Sequence, residues 1–461
     1  MRRKQLWAGM LVAVLCIGSL AGCGGEKDDA GSGDTGTAEQ TEAKSDDGED
    51  TEAEETDSGD KKKLVVWTWA GGERDYVYEK YFETHPDADW EFEEVVVAES
   101  DYLTKLQQSY ASGGDMPDIL MGGIEWRASA FSLDIWENLE EEPYNFDRSV
   151  VLDNVIPQIT NDQDQVVGVE DAVNPAFIMY KRDLAKEYLG TDDQKELEAM
   201  FQTYDDYITV GEEVYEKSGG KVHLFAGLQD VATMMYLQMH DQNNVGEDGN
   251  LDVLERGNTI FETLEKMRDN NVCSNLASYS TEWNNAYASS DVILFPGASW
   301  SVTSTVEAFD PEGSAAGNWG MFTPAGGGYV MGGTCLGIYK NSDMKEEAWD
   351  FISWSLLTKE GALAMKEGCG FFLPVKSLYE DPEYTSGTRQ SFGDQEINKF
   401  MMEEIAPNMA DVSSSIYDRL VADSVLMTAE MMSADASLDA DQALEEFKTD
   451  LESKIPDLEV K

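Results

Sequence analysis

The chain has 461 residues, with 91 acidic against 33 basic side chains and a net charge of −58 at neutral pH. So acidic a surface repels nucleic acid and anionic membrane, which argues against a nucleic-acid partner. The length exceeds one ordinary core and five cysteines are too few for a disulfide framework, so two domains with conventional apolar cores are expected.

Arg2, Arg3 and Lys4 open the chain, an apolar stretch runs from Leu6 to Leu20, and small residues follow. These are the three parts of a secretory signal. The stretch is short of the ~20 apolar residues that a membrane span needs. Leu20-Ala21-Gly22-Cys23 resembles the bacterial lipobox. The resemblance implies that residues 1–22 are a lipoprotein signal peptide and that Cys23 carries at least two acyl chains, enough for stable anchoring. From Gly24 to Asp60, 15 acids stand against Lys27 and Lys44, with no aromatic or branched aliphatic residue. Residues 23–60 are therefore expected to be a disordered acidic linker, spanning on the order of 35 Å. The linker carries −13 and the signal +3, which leaves −48 on the part from Lys61 onward.

That part opens as alternating strands and helices. Leu64 to Trp69 reads as a buried strand ending at Gly71-Gly72. A helix follows with Tyr78, Tyr81 and Phe82 on one face, broken at His85-Pro86. Trp90 to Val97 is strand-like. Ser100-Asp101 offers an N-cap to a helix with Leu103, Leu106 and Tyr110 on one face, stopped by Gly113-Gly114. Asp118 to Met121 forms a third strand ending at Gly122-Gly123. The alternation predicts a mainly parallel sheet with helices on both faces and ligands outside the carboxyl ends of its strands. From about Phe177 the pattern is mostly helical, apart from short strands near Lys221–Gly227, Asp291–Phe295 and Gly333–Tyr339. Amphipathic helices are predicted at Lys345 to Leu357, Ser414 to Met432 and Asp439 to Lys454, the last with Asp439 as N-cap and Gln442 three residues on.

Motifs of catalysis are thin. Gly219-Gly220-Lys221 lacks the spacing of a nucleotide loop, and Gly297-Ala298-Ser299-Trp300-Ser301 fails the nucleophile-elbow pattern. Ser342-Asp343-Met344-Lys345 has the Ser-x-x-Lys form without its companion motifs, and a serine starting a helix is ordinarily a cap. His85, His223 and His240 have no ligand spacing, and the stretch from Asp241 to Asp252 departs from a calcium loop at two ligand positions. No enzyme activity, cofactor or metal is expected. Once Cys16 leaves with the signal and Cys23 is acylated, Cys273, Cys335 and Cys369 permit at most one disulfide.

Gly114-Asp115-Met116-Pro117-Asp118-Ile119 has the form Gly-x-x-Pro-Asp-Ile at a strand start. Further on stand Met179-Tyr180-Lys181-Arg182-Asp183-Leu184, Thr203-Tyr204-Asp205-Asp206 and Phe295-Pro296-Gly297-Ala298-Ser299-Trp300. Met331 to Ile338, Glu347 to Ile352 and Gly370 to Val375 complete the series. In this order, over nearly all of Leu64 to Leu458, the segments resemble an extracellular solute-binding protein of an ABC importer, in the family that includes the maltodextrin-binding proteins. The resemblance implies an α/β, two-lobed, periplasmic-binding-protein-like fold whose discontinuous domains are joined by hinge crossings near Ala172–Asn174, Gly328–Gly332 and Phe371–Val375. One lobe would take residues 61–172 plus 330–373, the other 173–329 plus 374–461. Ligand would be caught in the cleft by hinge closure and delivered to membrane permease subunits.

A sugar presents an apolar face and a rim of hydroxyls, so its cleft needs aromatic platforms beside planar polar groups. Trp300, at the family's Gly-x-Trp position, is the first candidate platform. Trp69 follows the first strand, whereas Trp67 is expected to stay buried. Glu125 and Trp126 lie in the loop after the third strand, and Asn174 sits at the first crossing with Asp171 as the alternative. Trp283, Tyr329, Gly333 and Tyr417 complete the expected ligand set, although Gly332-Gly333 also reads as a strand start needing no side chain. These loops hold almost no Arg or Lys, Arg127 being the exception, so a neutral mono- or oligosaccharide is expected. A glycoside hydrolase tethered at the surface and a polyamine-type binder are the alternatives. The expected form is a monomer, lipid-anchored at the outer face of the cytoplasmic membrane in a Gram-positive-type envelope.

Overall fold

A computed structural model describes residues 61–239, 243–409, 412 and 415–461. The signal peptide, Cys23, the acidic linker, His240 and Asp241 lie outside the described residues. Among those described, nine strands form: β1 (Lys62–Thr68), β2 (Trp90–Val96), β3 (Ile119–Gly123), β4 (Val169–Glu170), β5 (Pro175–Lys181), β6 (Leu294–Ala298), β7 (Trp319–Phe322), β8 (Tyr329–Val330) and β9 (Thr334–Ile338). They make two sheets, one ordered β2-β1-β3-β9-β4 and the other β6-β5-β7, with β8 also paired to β5.

In the first sheet β1 runs parallel to β2 and β3, joined through helices α1 (Asp75–Thr84) and α2 (Glu99–Ser112). Val77, Tyr78 and Tyr81 form the buried face of α1, and Gly113 closes α2 in the left-handed conformation at φ 67°. The N-cap of α2 is Ala98 with no side-chain cap, two to three residues before the Ser100-Asp101 cap predicted. In the first sheet β9 alone is reversed, antiparallel to both its neighbours β3 and β4, and every pairing in the second sheet is antiparallel, so parallel pairing is confined to β1 to β3. The reason is topological: β9 enters its sheet from the second lobe rather than by a helical crossover.

β5 corrects the helical reading after Phe177. All seven of its residues are buried. Phe177 and Met179 pack into one apolar cluster while Ala176, Ile178 and Tyr180 pack into another, so both faces are covered. Two short strands, β7 and β8, were also unforeseen, whereas Lys221–Gly227 makes only isolated bridges, His223 to Val292 and Phe225 to Cys273. Helices Leu228–Gln238, Leu254–Asp269, Asp418–Ala434 and Ala440–Lys454 pack on one another over the second sheet. Asp439 and Gln442 cap the last of them reciprocally, at 2.9 and 3.2 Å. Helix Lys345–Leu357 forms as predicted; Ser342 stands before it, donating to Asp118 at 2.6 Å.

The chain passes between the sheets three times. Residues 171–174 link β4 to β5, residues 331–333 link β8 to β9, and residues 370–375 return toward the second lobe. Val330 pairs with Pro175 and so stays with the second sheet. The passages lie side by side: Val173 N–H donates to Phe372 C=O at 2.8 Å and Met331 N–H to Asn174 C=O at 3.2 Å. Each contains a left-handed residue, Asn174 at φ 50°, Gly332 at 75° and Gly370 at 75°. Cys273, Cys335 and Cys369 are buried free thiols.

Candidate functional site

A cavity of about 560 Å³ lies where the crossings meet, lined by residues from both sheets and from all three passages. On the first side Trp69 follows the end of β1, half-buried, with its neighbours holding the ring in place. Its ring stands edge-on to Tyr102 at 5.4 Å and to Trp126 at 6.1 Å. Tyr102 and Trp126 stack on each other at 5.2 Å, and the Trp126 indole N–H donates to Glu99 at 2.8 Å. Trp67, two residues earlier, is buried, with the Lys105 ammonium 4.3 Å over its ring.

On the opposite side Trp300 comes just after β6, half-buried in the cavity wall. Its indole N–H donates to Met331 C=O at 3.0 Å, which ties the ring to the second passage. Asn174 is buried in the lining, its left-handed backbone turning the chain from one sheet to the other. Gly333 also lines the cavity; a Cβ there would come within 2.8 Å of Glu170, at a φ of 144° that favours glycine.

Charge in the cavity is mostly negative: six carboxylates and two guanidinium groups line it. Arg74 donates to Asp171 at 2.6 Å, both side chains buried. Burial still outweighs Arg74 and pushes the Asp171 carboxyl up to about 7. Arg419 reaches from the second lobe to Glu99 of the first at 3.1 and 3.3 Å, and also holds Asp423. Burial raises the Glu125 carboxyl above the ordinary range, opposed by its own amide and reinforced by Glu99. The exception noted in the sequence, Arg127, is buried against Glu170 at 2.6 Å and does not line the cavity.

Of the residues expected to meet ligand, the cavity gathers Trp69, Glu125, Asn174, Trp300 and Gly333. Four others lie elsewhere. Trp126 is only 3% exposed and backs the Trp69 ring. Trp283 donates to both oxygens of Asp230 at 3.1 and 3.0 Å and lines a small annex behind Trp300. Tyr329 is buried in the second-lobe core, and Tyr417 packs half-buried beside that core while its successors Asp418 and Arg419 reach the cavity. Arg74, Glu99, Tyr236, Tyr279 and Arg419 were not anticipated. Tyr279 had a local signal, a lone aromatic in a polar run, and stands 64% exposed at the mouth. The arginines had none, because their partners lie 97 and 320 residues away.

Residues 77–389 match the family model described as bacterial extracellular solute-binding protein. A comparison with curated protein sequences gave no match. Among solved structures, the GacH receptor of Streptomyces glaucescens, determined unliganded and with acarbose, is similar at TM-score 0.69 and 18% identity, over 87% of this chain and 100% of that one. The galacto-N-biose/lacto-N-biose I-binding protein of a Bifidobacterium longum ABC transporter is similar at TM-score 0.69 and 16% identity, over 88% and 100%. Maltose-bound MalE3 of T. maritima gives TM-score 0.66 and 18% identity, over 85% and 99%.

Proposed function

The chain belongs to the bacterial extracellular solute-binding proteins, and from that premise we propose that it is the capture subunit of an ABC-type sugar importer. It closes two lobes over a mono- or oligosaccharide and delivers it to permease subunits. The observation that carries this is the placing of Trp69 and Trp300 on opposite lobes around one cavity. Two half-buried indoles offer the C–H faces of a sugar ring their platforms, while Glu125, Asn174 and Asp171 offer hydroxyl partners. Trp126 and Trp283 act behind the platforms, Tyr329 and Tyr417 from the adjoining core, and Gly333 keeps the second passage open to ligand. The named solutes of the similar structures, acarbose, lacto-N-biose and maltose, support a saccharide.

Cys23 supplies the anchor in this reading. Tether and acidic linker hold a monomer at the outer face of the cytoplasmic membrane of a Gram-positive-type cell, at high local concentration near its permeases. Cys23→Ala is expected to release the protein to the medium with saccharide binding intact, and to lower uptake when substrate is scarce.

Calorimetry of the purified protein against a panel of mono- and oligosaccharides tests the central claim. Saturable binding without turnover is expected, and Trp300→Ala should weaken it by about tenfold to a hundredfold, the value of one stacked ring. No saccharide binding together with a response to spermidine would replace the sugar with an amine; cleavage of any oligosaccharide would replace the binder with a hydrolase.

A further inference from the structure

The hydrogen bonds of the cavity leave a specific remainder. Both guanidinium groups are engaged by carboxylates of the lining, Arg74 by Asp171 and Arg419 by Glu99 and Asp423. Asp418 takes Asn244 at 2.7 Å and the Ser415 amide at 2.6 Å. Among the described residues the Glu125 carboxylate has no side-chain partner; Arg419 and Arg127 act on it only at a distance. Two buried atoms of the Arg74–Asp171 pair are also unpartnered, the Nε of Arg74 and the Oδ1 of Asp171, on side chains 4% and 1% exposed.

Each of these leftovers asks for a different group. Glu125 is half-buried and belongs to an excess of lining carboxylates, six against two guanidinium groups that are both already engaged, so an added cation would be favoured beside it. One donor and one acceptor on neighbouring side chains suit hydroxyl groups, which donate and accept. The indole faces of Trp69 and Trp300 take C–H surface and also attract a cation. A neutral sugar could donate a hydroxyl to Glu125 but would leave its charge uncompensated, a polyamine would offer nothing to Arg74 Nε, and an anion would face the excess of carboxylates. We infer that the cavity takes a hydroxylated ligand bearing a protonated amine, an amino sugar, with the ammonium at Glu125 and hydroxyls at the Arg74–Asp171 pair. This rests on the reading of the cavity as the solute site.

The test is a paired panel: mono- and disaccharides of several linkages, each as the 2-amino sugar and as the matching 2-hydroxy sugar, titrated calorimetrically at pH 7 into the purified protein. The amino member is expected to bind at least about tenfold more tightly, the worth of a charge-assisted hydrogen bond. Glu125→Gln should weaken the amino sugars and bring the ratio near one, and Glu125→Asp should restore part of it. Equal or tighter binding of the hydroxy sugars overturns the inference while the saccharide site stands. A ratio unchanged in Glu125→Gln also overturns it. If no member of either series binds, the saccharide reading on which the inference rests falls with it.

Discussion

Asp230 sits under the indole of Trp283 and takes hydrogen bonds from it, from Ser278 at 2.7 Å and from the Gly227 amide at 3.2 Å. Burial pushes its carboxyl up to about 6 in spite of these donors. The folded state therefore holds this proton more tightly than the unfolded chain, whose aspartate titrates near ~3.9. The group's contribution to stability is largest below that value and is lost as pH rises toward 6. Trp283 reports the event: the emission difference between the wild type and Trp283→Phe should titrate with a midpoint near 6. A flat difference between pH 5 and 7 would sink it. The same environment explains why Trp283 lines the annex and not the main cavity. Aromatic residues near a strand end are visible in sequence, as Trp69 and Trp300 were, but whether an indole faces a cavity or a buried carboxylate depends on a partner 53 residues away.

At the scale of elements, one-faced helices and short runs bounded by glycines were legible, whereas β5 was not. α1 and the helix Ala440–Lys454 carry one-sided patterns that fix their type, and the buried runs of β1 and β3 are short and bounded by glycine pairs, which marks them as strands. β5 has no polar side, since each of its faces meets a different core, and its continuous apolar run did not declare a strand. The hinge passages are likewise defined by backbone shape rather than pattern. A left-handed residue in each of the three makes a definite expectation. At Gly370 nothing lies closer than 3.8 Å to an added Cβ, so Gly370→Ala costs only the left-handed backbone, about 1 kcal/mol. At Gly332 the added carbon would also stand 3.2 Å from the Trp300 Nε1, against the bond that seats the platform. Thermal melts should thus rank wild type above Gly370→Ala and Gly370→Ala above Gly332→Ala, with loss of saccharide affinity confined to the latter. A Gly370→Ala protein as stable as the wild type would show that this passage does not require its left-handed turn.

Across the whole molecule, in the closure over ligand proposed above, the contacts that bridge the cleft decide how readily it closes. Glu99 at the start of α2 accepts from Trp126 of its own lobe and from Arg419 of the other, and the Ser129 hydroxyl donates to Ile416 C=O at 3.4 Å nearby. The ion pair thus couples the second lobe to the aromatic group that supports Trp69. Both side chains are more than a third exposed, so solvent screens the pair and its worth is modest, about 0.5–1 kcal/mol. That is still enough to shift an open–closed equilibrium by roughly two- to fivefold, and a ligand that binds only the closed form feels the whole factor. Arg419→Gln should therefore raise the radius of gyration of the ligand-free protein in solution scattering and weaken saccharide binding by about that factor, mainly through faster dissociation. Added salt should move the wild type in the same direction and leave the variant unmoved by this route. The charge-reversed double variant, Glu99→Arg with Arg419→Glu, distinguishes the pair from the individual side chains. Restoration of the compact ligand-free form requires the two charges to meet across the cleft, whereas a double variant as open as Arg419→Gln would assign the effect to local contacts of Arg419 with Asp423.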